Sequence, residues 1–112
     1  MRALFRRSTT PQITPAELQA RIAAGERVQL IDVRERSEWN QGHIPGSLHI
    51  PLGELQRNAG RVARDLPVVM VCRSGNRSGQ ATAAFQSAGY SNVLNLDGGV
   101  LAWANARLPL ER

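Results

Sequence analysis

A chain of 112 residues with 42% apolar and 21% charged side chains has the size and composition of one folded domain, with little room for a second. Its 14 basic residues against 9 acidic ones give a net charge of +5. Every basic residue is an arginine, which excludes a Schiff-base lysine and a Walker-type phosphate lysine. The single cysteine, Cys72, rules out an intramolecular disulfide and a cysteine-rich zinc site, so neither a metal nor a cofactor is expected.

Residues 1–11, with Arg2, Arg6 and Arg7, are expected to form a flexible basic tail ending at Pro11, and residues 12–112 a single domain. Gln12 and Ile13 read as a short strand. Thr14-Pro15-Ala16-Glu17 then has capping-box spacing with proline at the first helical position. Leu18, Ile22 and Ala23 follow at helical spacing, with Gly25 as the stop. Val28–Val33 predicts a strand, Glu35–Gln41 a short helix, 42–46 a loop, and Ser47–Ile50 another strand stopped by Pro51. Leu52, Leu55, Ala59 and Val62 make a helical apolar stripe over 52–64, weakened at Gly60. Pro67–Val71 is continuously apolar, as a strand covered on both faces should be. A helix over Ser78–Ala88, a strand over Asn92–Leu96, a turn at 97–99 and a final helix over Val100–Ala106 complete the chain. Strands alternating with helices through short turns predict an α/β domain with a mostly parallel sheet.

The arginine excess favours anionic partners, from nucleic acid to small inorganic anions, or is a solvated surface. Phe5, Trp39, Phe85, Tyr90 and Trp103 are not interleaved with the arginines, so a stacking platform for nucleic acid is not expected. The apolar stretch Ala3–Phe5 is too short for a signal-peptide core, and no run approaches the ~18 apolar residues of a membrane span. A lone cysteine also fits a reducing compartment, so the expectation is a soluble cytoplasmic protein without a membrane partner. Its oligomeric state is not legible.

In a parallel sheet, ligands sit where strands end and chains turn into helices. Two such places carry chemistry here: Asp32-Val33-Arg34 and the segment Cys72–Ser78. The second puts the only cysteine at the end of VVMV and follows it with Arg73, Ser74, Gly75, Asn76, Arg77 and Ser78. Successive backbone N–H groups in such an arc make an anion-binding nest, and the helix that follows adds its positive end. A thiol so placed ionises readily, and two arginine forks are suited to a sulfate-like oxyanion. Cys72 is therefore the candidate nucleophile, with residues 73–78 the candidate substrate-binding set. Asp32 either orients loop amides and balances the arginines or is a turn residue. Arg34 is either a third cation at the pocket or an ion-pair partner of Glu38. His43 reads as a hydrogen-bonding loop residue, and neither histidine is needed as a base if the thiolate is already formed.

These segments resemble the single-domain rhodaneses, the thiosulfate sulfurtransferase-like domains, over about Ile13–Leu108. The resemblance rests on LIDVR (30–34), Glu38-Trp39, GHIPG (42–46), Ile50-Pro51, CRSGNRS (72–78), and Gly98-Gly99 leading to Ala102-Trp103. It implies a five-stranded parallel sheet flanked by helices on both faces. It also implies that Cys72 takes a sulfane sulfur from thiosulfate or a persulfide donor, becoming a persulfide, and passes it to a thiol, cyanide or protein acceptor. A second reading is a sulfur-carrier or interaction module loaded by, and docking on, a partner. Dual-specificity phosphatases of the same fold carry a longer arc. Arg77 lies five positions after Cys72, one short of the phosphatase spacing, so phosphatase or arsenate reductase activity ranks below sulfur transfer.

Overall fold

The computed structural model describes residues 10–112. Of the expected tail, residues 1–9 lie outside the described residues, whereas Pro11 already joins the sheet: its carbonyl accepts the Asn95 N–H at 2.9 Å. The elements in chain order are β1 (Gln12–Ile13), α1 (Pro15–Ala23), β2 (Gln29–Asp32), α2 (Arg36–Gln41), β3 (Leu48–His49) and α3 (Leu52–Leu55). A 3-10 turn (Ala59–Arg61), β4 (Val68–Val71), α4 (Asn76–Ser87), β5 (Val93–Leu96) and α5 (Gly99–Asn105) follow. The capping box of α1 forms as its residues demand: Thr14 Oγ1 accepts the Glu17 N–H at 3.1 Å and Glu17 Oε1 accepts the Thr14 N–H at 2.9 Å.

The described strands form one five-stranded sheet in the order β1-β5-β4-β2-β3, and every pairing is parallel. Alternation along the strands divides the core in two. Leu30, Val69, Val71 and Leu96 point to one face, where Leu18 of α1 and Val100 and Trp103 of α5 cover them. Ile31, Val68, Met70 and Val93 point to the other, under Leu55 of α3 and Ala81 and Phe85 of α4. β4 is buried along its whole length, which explains its unbroken apolar run. After β2 the chain moves outward to β3, then returns across to β4 and continues to β5. The strand order therefore reverses between β2 and β4, and the crevice for a ligand lies at their carboxyl ends.

Two helices differ from the sequence expectation. The stripe over 52–64 is not one helix: α3 stops at Leu55, and a 3-10 turn occupies Ala59–Arg61. Tertiary partners take its backbone groups. The Tyr90 hydroxyl lies 2.7 Å from the Val62 carbonyl, the Gln29 side chain accepts the Ala63 N–H at 2.8 Å, and Asn58 Nδ2 donates back to the Glu54 carbonyl at 2.8 Å. Helix α4 begins at Asn76 rather than Ser78, because Gly75 (φ 109°) makes the bend and leaves Asn76 already helical. Arg77 and Ser78 thus belong to the first turn of α4, not to the preceding loop. Among the described residues no helix is long and apolar enough to cross a membrane.

The start of α5 is welded to the end of β4. Val100 N–H donates to the Cys72 carbonyl at 2.8 Å and Leu101 N–H to the Arg73 carbonyl at 3.0 Å. Gly99 sits beneath this contact with φ +61°, and a Cβ there would overlap the carbonyls of Cys72 and Arg73. Gly99→Ala is expected to destabilise the domain by about 2–5 kcal/mol, from the left-handed backbone plus the overlap. Gly53→Ala, inside α3 with open space around it, should instead be neutral or stabilise by about 0.5–1 kcal/mol. Urea denaturation of the two variants checks the contrast.

Candidate active site

Cys72 is the first residue after β4, and its side chain is 1% exposed. The loop of residues 72–75 curls so that the Gly75 N–H points at the sulfur, with N to Sγ at 3.1 Å. Ser78, buried in the first turn of α4, brings its hydroxyl oxygen to 3.2 Å from the same sulfur. Burial pushes the thiol pKa up. The Ser78 hydroxyl and the backbone amides of Ser78, Gly75 and Ser74 push it down, and together they win, leaving the thiol below its ordinary value. The arrangement favours the thiolate form of Cys72.

The arginines expected at this site divide by what holds them. Arg77 is gripped by Glu38 of α2 through two parallel bonds, Nη1 to Oε1 at 2.7 Å and Nη2 to Oε2 at 2.8 Å. These bonds hold the Glu38 carboxyl down at about 2 against a smaller opposing effect of burial. They also raise the pKa of Arg77 above that of a free guanidinium, with a smaller contribution from the negative charge of Cys72. Arg77 is therefore close enough to feel the thiolate, but both of its terminal nitrogens are engaged. Glu38 Oε1 also accepts the Glu35 N–H at 3.0 Å, so one carboxylate fixes the start of α2 and ties it to α4.

Arg73 differs. It is exposed, and among the described residues none hydrogen-bonds or ion-pairs with its guanidinium. Ser74 and Asn76 are exposed beside it, and with Gly75 they form one wall of an open cavity of about 480 Å³.

The structure resolves the alternatives left at β2. Arg34 does not pair with Glu38: its guanidinium clamps Asp32, with Nη2 to Oδ2 at 2.8 Å and Nε to Oδ1 at 3.0 Å. Asp32 Oδ1 also accepts the Arg34 N–H at 3.0 Å, and Arg34 Nη2 donates to the Gly42 carbonyl at 2.7 Å. Two residues of separation bring the pair together because the chain bends straight out of β2. Glu38, at helical distance, is already taken by Arg77. Asp32 is fully buried and Arg34 nearly so. The pair braces the end of β2, which lies beside β4 through the Asp32–Val71 pairing. Arg34 does not contact the Cys72 sulfur. It shares with Arg73, Glu38, Leu101 and Leu110 the lining of a surface cavity of about 290 Å³.

The histidines are occupied structurally. His43 Nδ1–H donates to the Trp39 carbonyl at 3.0 Å, and its ring stacks on Trp39 with centroids 3.5 Å apart. His49 Nε2–H donates to the Arg34 carbonyl at 2.8 Å and stacks on the same indole, at 4.8 Å.

One residue of the site had no signal in the sequence. Asn95, on β5, is 4% exposed and lies on the same face of the sheet as Val93, toward α4. Its Oδ1 accepts from the Ser78 hydroxyl at 2.5 Å, and its Nδ2 donates to the Gly75 carbonyl at 3.1 Å and to Gln12 Oε1 at 3.2 Å. It thus touches both ends of the turn that holds the sulfur.

Comparison with known proteins agrees with this geometry. The model of the Rhodanese-like domain matches residues 14–106. A protein of Allochromatium vinosum named "Sulfurtransferase" is 41% identical over 99 residues, which cover 88% of this chain and 92% of that protein. "Putative sulfur carrier protein YrkF" of Bacillus subtilis is 32% identical over 96 residues, 86% of this chain but only 52% of that protein. Among solved structures, the thiosulfate sulfurtransferase of Pseudomonas aeruginosa superposes with a TM-score of 0.83 at 30% identity, covering 92% of this chain and 20% of that one. The fold, the loop at the strand-order reversal and these matches agree, and the chain belongs to the rhodanese-like domain family.

Proposed function

We propose that the protein is a sulfurtransferase in which Cys72 carries sulfane sulfur as a persulfide. The observation that supports this most directly is the donor set around the sulfur: the Gly75 amide, the Ser78 hydroxyl and the amino end of α4 all face Sγ. In the first half-reaction the Cys72 thiolate attacks the outer sulfur of thiosulfate. The S–S bond of the donor breaks and sulfite leaves with its electron pair. The persulfide keeps one negative charge, and the same amides stabilise it on the terminal sulfur. In the second half-reaction a nucleophile, cyanide in an assay or a thiolate in the cell, attacks the terminal sulfur and regenerates the thiolate. One site alternates between two forms, so the kinetics are ping-pong.

Arg73 is the residue best placed to attract the anionic donor, being the exposed loop guanidinium without a partner among the described residues. Arg77 contributes charge from behind the Glu38 bridge. The donor can equally be a small organic persulfide. A thiol, cyanide or a protein serves as acceptor, in a cytoplasmic setting. The six-residue arc, one residue shorter than the phosphatase spacing, encloses a single sulfur better than a phosphoryl group. The match to a protein named as a sulfur carrier, of which this chain spans about half, supports a second reading in which the persulfide is handed on within a larger assembly. A carrier would load on Cys72 but turn over slowly with small acceptors until its protein acceptor is added.

Intact-mass spectrometry after incubation with thiosulfate should show one added sulfur, absent in Cys72→Ser, which should also lose turnover while keeping its circular dichroism. Turnover retained in that variant would overturn the assignment. Arg73→Gln should raise KM for thiosulfate about tenfold with kcat little changed, the loss of one charge-assisted contact. Arg77→Gln should raise KM and also lower stability, because it leaves the Glu38 carboxylate without its partner; steady-state kinetics and melting curves separate the two. The rate of Cys72 alkylation by iodoacetamide should rise with pH to a midpoint below that of an ordinary free thiol. In Ser78→Ala that midpoint should move upward, because a donor to the thiolate is lost.

A further inference from the structure

Once its sulfur is ionised, the buried triangle formed by Cys72, Ser78 and Asn95 holds one shared proton, that of the Ser78 hydroxyl, for two contacts. The Gly75 carbonyl can only accept, so the Asn95 amide nitrogen faces it and Asn95 Oδ1 must face Ser78. Oδ1 has no hydrogen to give. The 2.5 Å contact between Asn95 Oδ1 and Ser78 Oγ therefore uses the single hydroxyl proton of Ser78. The sulfur of Cys72, 3.2 Å from the same oxygen, competes for that proton. With a neutral thiol the three groups form a relay in which S–H donates to Ser78 and Ser78 donates to Asn95. Once the sulfur is ionised, a serine still turned toward Asn95 would present a lone pair to the negative charge, so the hydroxyl must swing to the sulfur.

We propose that Asn95 is a positioning residue that, through Ser78, sets how readily the Cys72 sulfur carries negative charge. Its Oδ1 holds the Ser78 proton while the sulfur is neutral and yields it when thiolate or persulfide forms. Its Nδ2 meanwhile pins Gly75, whose N–H points at the sulfur. Such a counterweight suits sulfur transfer, because a thiolate stabilised too far loses nucleophilicity as its pKa falls. The consequence for catalysis rests on the sulfurtransferase reading, but the proton sharing itself does not. The charged groups around the triangle are Arg73 on the loop, Arg77 of α4 with Glu38 opposite it, Asp97 beyond β5, and the Asp32–Arg34 pair at the end of the neighbouring β2. None of them makes a hydrogen bond to Asn95, so their contribution is common to the variants below.

The test is the pH dependence of Cys72 alkylation by iodoacetamide, which reads the thiolate whether or not the protein transfers sulfur. Asn95→Leu removes the competing acceptor while keeping the number and branching of the side chain's heavy atoms. The midpoint should fall by about half a pH unit, a threefold gain in thiolate at a fixed lower pH, as expected for one reallocated hydrogen bond. In the Ser78→Ala background only the lost Nδ2 bond to Gly75 is left to act, so the same substitution should not lower the midpoint. A midpoint that does not fall in Asn95→Leu, or that falls equally without the Ser78 hydroxyl, overturns the proposal. If circular dichroism shows that Asn95→Leu does not fold, Asn95→Asp serves instead. Its carboxylate keeps the acceptor and holds the proton more tightly, so the midpoint should rise, and the rise should at least halve in Ser78→Ala. An undiminished rise would mean that charge alone acts, and would overturn the role of the shared proton. Absence of sulfur transfer with these midpoint shifts intact would refute the proposed function and leave the role of Asn95 standing.

Discussion

Burial and hydrogen bonding pull the Cys72 sulfur in opposite directions, and the architecture around it is arranged so that hydrogen bonding prevails. A thiol removed from water at the end of a covered strand would by itself resist ionisation. Three backbone amides and one hydroxyl reverse that outcome, and each depends on a specific piece of the fold. The Gly75 and Ser74 amides point inward because Gly75 takes a left-handed conformation. The Ser78 groups are in reach because α4 starts immediately after it. Helix α5 holds the other side of the loop, its first N–H groups bonded to the carbonyls of Cys72 and Arg73. Those carbonyls would otherwise be free to turn toward the sulfur, where they would repel an anion.

The charge of the domain is organised around the same point. A balance of +5 says nothing about where cations are available, because the arginines nearest the site are mostly committed. Arg34 is spent on Asp32 and on the loop after α2. Arg77 is spent on Glu38. These two pairs act as struts: one stiffens the exit from β2, the other ties α2 to the first turn of α4. Arg73 is the most exposed of the three and the one whose guanidinium has no partner among the described residues. In the proposed reaction an incoming dianion would meet a cation at the mouth, with neutralised pairs behind it. The histidines are held structurally, each spending a ring nitrogen on a backbone carbonyl and its face on Trp39.

How far the sequence could be read depended on whether a signal was local. Thr14-Pro15-Ala16-Glu17 announces a helix start through contacts that close within four residues, and they form as expected. VVMV reads as a central strand because burial on both faces demands an unbroken apolar run. The stripe over 52–64 was misleading for the complementary reason. Its apolar spacing is real and its residues do face the core, but Tyr90 and Gln29 intercept the backbone groups a continuous helix would use. Both come from distant parts of the chain. Arg34 paired with Asp32 rather than Glu38 for the same reason, since the bidentate partner of Glu38 arrives from α4. Asn95 was invisible: in a strand of alternating pattern, one asparagine reads only as a polar position.

The sequence alone determined the α/β class, the parallel sheet and the place of the candidate nucleophile, Cys72. Those follow from periodicity, from turn residues, and from a lone cysteine set between an apolar strand and a run of small and basic residues. Tertiary structure decided what surrounds that sulfur: which arginine is open, which are locked, and that a residue from β5 competes for the hydroxyl proton of Ser78. The physical reason is that electrostatic and hydrogen-bonding partners are chosen by proximity in space. The reversal of strand order between β2 and β4, with β5 and β1 alongside, brings together groups that the chain itself keeps far apart, Gln12 and Asn95 by 83 positions.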